Sequence, residues 1–178
     1  VEAQPWLVLF RGPTFSVGFS LIRPEILHLG WDGTGSGRAG ENRVYRARSA
    51  GLYTGLSGPL VRTARADFGA NLWTGRVEVQ GNQVRYRALT CGLGVTLDAT
   101  FTVTPEGLHL ALTQEAARAV PVIEAEAWRL LWNCAAAMTA AAALPTLRPG
   151  RNGEVELPML WAGDGNGCLR CEKLSGEA

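Results

Sequence analysis

Between residues 75 and 113 the chain alternates polar and apolar positions with a period of two, the signature of half-buried strands. Arg76-Val77-Glu78-Val79-Gln80 and Gln83-Val84-Arg85-Tyr86-Arg87-Ala88 flank Gly81-Asn82. A two-residue link of this kind predicts a β-hairpin. Val77, Val79, Val84 and Tyr86 are then expected to face a core, with Glu78, Arg85 and Arg87 facing away. Val95, Leu97, Ala99, Phe101 and Val103 alternate with Thr and Asp and predict a long strand. Thr104-Pro105-Glu106-Gly107 reads as a turn, with Pro presetting φ and Gly accepting φ > 0. Leu108 to Thr113 returns as a fourth strand. The N-terminal part also reads as β, with strands at 6–10, 15–22, 25–29, 44–48 and 59–66, a loop at 33–40 and a flexible stretch at 51–58.

One segment departs from this period. Ile123, Ala127, Leu130, Leu131, Cys134 and Met138 fall on a helical stripe, and residues 135–143 are Ala-rich. Pro121 is suited to opening a helix and Pro145 to ending one. The pattern favours a helix over about 124–144, although Val120 to Trp132 follows a strand closely and could instead continue the sheet; short strands are expected after it at 154–157 and 169–172. The fold class expected is mainly β: one antiparallel β-sandwich domain over 1–178 with that single helix.

Composition supports a packed domain. Hydrophobic residues make up 47% and charged residues 19%, a balance that excludes a disordered chain. No apolar run has the length of a membrane span. The net charge of +1 gives no global field for nucleic acid, so neither nucleic acid nor membrane is expected as a partner. Arg dominates the cations, and Lys173 is the lone lysine. The ends of the sequence suggest a processed chain or a piece of a longer one, and the compartment stays open.

Most motifs favour structure over chemistry. Cys168 and Cys171 form a single CxxC, while Cys91 and Cys134 stand far apart, and neither His28 nor His109 lies nearby in sequence. No metal site or cofactor is expected from this set. Gly35 to Gly40 matches GxGxxG, but no amphipathic helix follows and the acidic residue about 20 positions on is missing. Asp164-Gly165-Asn166-Gly167 starts like a calcium loop and then loses the ligand pattern, which leaves a tight turn.

Six tryptophans carry more information. Trp6, Trp128 and Trp132 are expected in the core. Trp31, Trp73 and Trp161 lie in or beside Gly/Asp-rich turns. There a flat ring next to a carboxylate can stack on a sugar while the acid accepts from its hydroxyls. Trp31, Asp32, Trp73, Trp161 and Asp164 are therefore the candidate ligand residues. Glu124 and Glu126 diverge on a helix, but on a strand they would share a side about 7 Å apart.

The run Val95 to Trp132 resembles the strand–turn–strand core of galactose-mutarotase-like domains, the super-sandwich of aldose epimerases and of many glycoside hydrolases and phosphorylases. The resemblance rests on the Thr-alternating strand 95–103, the Glu106-Gly107 turn, the Leu-alternating strand 108–113 and the polar link to Pro121, about 40 residues of 178. In the epimerases the next strand carries a catalytic His. Ile123 to Trp128 has none, so no catalytic residue is assigned. What the resemblance implies is a truncated copy, or the non-catalytic β domain that precedes a helical catalytic barrel. The function expected is sugar binding or structural support of a glycoside-processing domain. Two alternatives stay open. One is a sugar-active enzyme using Glu124, Glu126, Asp98 or Asp164. The other is a scaffold, paired with itself or another chain through a sheet face or the Ala-rich helix.

Overall fold

A computed structural model describes residues 1–32, 58–126, 128, 159–164 and 167–172. The chain falls into two compact units, Val1–Asn133 and Cys134–Ala178. Among the described residues the structure is mainly β, with antiparallel pairing in every sheet.

The first unit contains two four-stranded sheets. One holds β1 (Glu2–Gln4), β2 (Leu7–Arg11), β3 (Phe15–Ser20) and β4 (Ile26–Trp31) in chain order. A three-stranded sheet follows from β5 (Leu60–Arg62), β6 (Asp67–Phe68) and a later strand. The second four-stranded sheet is β7 (Thr74–Gln80), β8 (Gln83–Thr90), β9 (Val95–Thr104) and β10 (Gly107–Ala116), ordered β10-β9-β8-β7. These four strands lie where the alternation placed them. Gln80 pairs with Gln83 around Gly81, whose φ of +58° is easy only for glycine. Asn82 ties this turn to the neighbouring strand, its Nδ2 donating to the Val103 carbonyl at 2.7 Å. Gly107 does not take a positive φ. The Pro105-Glu106 turn closes with ordinary backbone angles at its glycine.

Burial follows the period. Val95, Leu97, Ala99, Phe101 and Val103 are buried on β9, and Val84 and Tyr86 on β8. Val77 is half-buried and Val79 is 43% exposed, because β7 is an edge strand. A bulge then changes the parity of β8. Tyr86 pairs with Ala99 but Leu89 with Leu97, so Arg87 and Ala88 together oppose Asp98. Ala88 sits at φ +50°, and the Asp98 carboxylate accepts its N–H at 2.6 Å. The bulge returns Leu89 to the core side, where it is 1% exposed.

The two four-stranded sheets meet through aromatic rings. Phe19 on β3 lies 4.9 Å from Phe101 on β9, centroid to centroid, and Phe10 packs edge-on against Phe19 at 6.0 Å. Tyr86 and Trp128 close the cluster, with Trp128 at 4.7 Å from Phe101 and 5.6 Å from Tyr86. Trp128 is thus a packing residue, as expected.

The helix expected at 124–144 is corrected at its start. Glu124–Glu126 is a strand, β11, antiparallel to β5. Ile123, the first residue of the supposed apolar stripe, is 69% exposed, so it anchors no buried helical face. Its N–H donates instead to the Arg62 carbonyl at 2.8 Å, extending the sheet. A free β5 edge outweighs local propensity here. Positions 127 and 129–144 lie outside the described residues, as do the expected strands at 44–48 and 154–157 and the glycine motif at 35–40.

In the second unit β12 (Met159–Asp164) and β13 (Gly167–Glu172) form a hairpin, with Asp164 opposite Gly167. The strand expected at 169–172 lies within β13, while positions 165 and 166 of the expected turn lie outside the described residues. Cys168 and Cys171 are both residues of β13.

Candidate functional site

The first sheet presents an apolar end. The β1–β2 hairpin closes with Gln4 opposite Leu7 around Pro5-Trp6, leaving Trp6 44% exposed at the tip. The β3–β4 turn runs beside it, with the Leu21 N–H donating to the Trp6 carbonyl at 3.0 Å. Ile22, at the head of that turn, is 68% exposed.

Ser20 shapes the second turn. Its Oγ accepts from the Ile22 and Arg23 N–H groups, each at 3.2 Å, and its own N–H donates to the Glu25 carbonyl at 2.9 Å. Tyr86 reaches across from the other sheet and donates its hydroxyl to the Ser20 carbonyl at 2.8 Å. Burial pushes the Tyr86 hydroxyl far above the ordinary phenol range, so it stays a donor at neutral pH. Ile22 therefore stands on a turn held by Ser20 and Tyr86, and the Leu21 N–H joins that turn to Trp6.

The residues singled out from sequence distribute differently. Trp73 is a correction. It is 3% exposed, and its Nε1 donates to the Phe68 carbonyl at 3.1 Å. The short 3₁₀ turn Ala70–Leu72 folds the indole inward and puts Leu72 outside at 49% exposure. Its ring has no open face for a sugar. Trp31 ends β4 opposite Phe15. Asp32 is buried at 6% exposure, and its N–H donates to the Thr14 carbonyl at 2.7 Å, so it too departs from an open ligand residue. Trp161 lies within β12 opposite Arg170, and Asp164 ends that strand. They belong to the second unit.

Trp6 is the residue the sequence reading misplaces, since it counts Trp6 as the first core position of a strand. The signal for the other outcome is Pro5. A Pro at the first corner of a two-residue turn puts the next residue on the tip.

The polar face of the second sheet is occupied by its own bonds. Arg85 donates through Nε and Nη2 to Gln83 Oε1, at 3.1 and 2.6 Å, rather than to Glu78 opposite it in register. Arg87 reaches Asp98 at 3.4 Å. Ser16 Oγ and His28 Nε2 lie 2.8 Å apart across β3 and β4, but Ser16 is 1% exposed and closed to substrate. The Cys91 thiol is pushed up mainly by burial, which keeps it protonated and a poor nucleophile. Among the described residues no three His, Cys, Asp or Glu side chains come together to hold a metal. No described helix is long and apolar enough to cross a membrane.

Comparison with protein-family models, with curated proteins and with solved structures finds no match.

Proposed function

We propose that the chain is a carbohydrate-associated β-sandwich domain that acts by binding and not by catalysis. Its two four-stranded sheets would be the layers of the sandwich, which the Phe19–Phe101 and Tyr86–Ser20 contacts support. The observation that carries the functional reading is the exposure of Trp6 and Ile22 on neighbouring turns, joined by the Leu21 N–H donating to the Trp6 carbonyl, the second turn being held by Ser20 and Tyr86. A pyranose ring offers a flat C–H face of the kind an indole stacks on, with hydroxyls left for polar neighbours. The galactose-mutarotase-like pattern of 95–132 points to the same ligand class.

Thermal unfolding across a panel of mono- and oligosaccharides tests this. A ligand bound only by the native state at 100 times its Kd adds about 2.7 kcal/mol. A shift with one sugar class, lost in Trp6→Ala, supports the proposal; a flat panel at high sugar concentration counts against it.

A second reading, a sugar-active enzyme, draws on β11. Glu124 and Glu126 stand two positions apart on this strand, a rise of about 7 Å along the backbone. It requires glycoside cleavage by the purified chain that is lost in Glu126→Gln. Asp98 is a poor candidate for that role, since its carboxylate already holds Ala88 and Arg87.

A further inference from the structure

We propose that β10 is the edge through which this chain pairs with a second copy of itself, independently of whether it binds sugar. Among the described residues β10 is a terminal strand of its sheet. It runs for ten residues in unbroken register with β9. It has no proline, bulge or lysine, the devices that usually block an edge. Its core-side Leu110 and Leu112 are each 39% exposed, although they sit opposite the buried Phe101 and Ala99. The opposite edge, β7, is protected. It is shorter, bulged between Thr74 and Arg76, and carries Arg76 and Glu78.

Two constraints select the pairing. The two-residue hairpin closes on Thr104 and Gly107, so odd-numbered residues of β10 bond to β9 and even-numbered ones direct their N–H and C=O outward. Continuing the core face across a two-fold axis also requires even residues to meet even ones. Antiparallel registers centred on residue 110, 111 or 112 satisfy both. Centring on Leu112 places His109 opposite the partner's Glu115, twice by symmetry, a donor facing an acceptor on the polar face. It also sets Leu112 against its own copy and overlaps nine residues, enough for about ten ladder hydrogen bonds. Centring on 110 or 111 leaves both His109 and Glu115 without a complement. The interface is isologous and closes at two copies, whereas β10 against β7 would continue as a filament.

Sedimentation of the full chain over a concentration series, together with oxidative cross-linking, tests this. The wild-type chain is expected to sediment at twice the chain mass, and Leu112→Lys at the chain mass with an unchanged circular dichroism spectrum. Facing Cα atoms of a hydrogen-bonded pair lie about 5.5 Å apart, inside disulfide range. Leu112→Cys should therefore cross-link above the wild-type background, and Leu110→Cys, offset by about 13 Å along the strands, should not. A wild-type monomer at every concentration, or a Leu112→Lys dimer, overturns the proposal. Cross-linking through Leu110→Cys alone overturns the register.

Discussion

Ala88→Gly is expected to stabilise the protein although it removes a methyl group and loosens the unfolded chain. Ala88 holds φ +50° inside the β8 bulge, where a Cβ approaches the following carbonyl. That conformation costs a residue with a Cβ about 1–2 kcal/mol. Glycine removes the cost and adds about 0.5–1 kcal/mol of unfolded-state entropy. The methyl is exposed, so no burial is lost. The net expectation is about 0.5–1 kcal/mol of added stability, or about 1–4 °C in Tm. The opposite perturbation is Asp98→Ala, which removes the acceptor for the Ala88 N–H and for Arg87. A hydrogen bond to a charged group contributes about 1.5–3 kcal/mol, and the 40% exposure of the Asp98 side chain discounts this to about 1 kcal/mol. Urea unfolding followed by far-UV circular dichroism gives both values, with an unchanged m-value as the check that only stability moved. A loss of 0.5 kcal/mol or more in Ala88→Gly, or an unaffected Asp98→Ala, would refute the strained-bulge reasoning.

Three further outcomes are expected. Phe101→Ala should cost about 3–5 kcal/mol in the same assay, because the ring is 1% exposed and packs on Phe19, Tyr86 and Trp128; a loss under about 1.5 kcal/mol would separate the two sheets energetically. Tyr86→Phe should cost about 1 kcal/mol at neutral pH. It should also flatten the alkaline limb: the raised hydroxyl contributes fully below its unfolded value of 10.0, and that contribution falls as pH rises above it by up to about 1.4 kcal/mol per unit. An alkaline limb identical in both proteins would deny Tyr86 this role. Gly75→Ala should destabilise by about 1–3 kcal/mol, since its Cβ would meet the Arg87 carbonyl at 2.5 Å and Leu89 Cδ2 at 2.8 Å; wild-type stability would show that β7 relaxes freely there.

Where period-two alternation is long, the fold was legible. Strand β9 and its flanking hairpins follow the polar–apolar pattern almost residue by residue, because one face is buried and a slip would invert it. Elements set by pairing rather than by their own pattern were not. Glu124–Glu126 is a strand because β5 offers an edge, a fact absent from the local sequence. The bulge at Arg87 and Ala88 depends on Asp98 ten residues on. The tryptophans show the same limit. Turn residues beside Trp73 suggested exposure, yet a single 3₁₀ turn rotates the ring inward. Trp6 looked like a core strand residue, yet Pro5 places it on a hairpin tip. Composition near a turn locates a ring along the chain but not its side of the sheet.

The proposed binding role is tested most directly by following the indole N–H signals in a two-dimensional NMR titration with the saccharide that shifts the unfolding temperature most. The Trp6 signal should move with saturating dependence on sugar, while that of Trp73, bonded to the Phe68 carbonyl, stays in place. A Trp6 signal unmoved at saturating sugar would contradict the account.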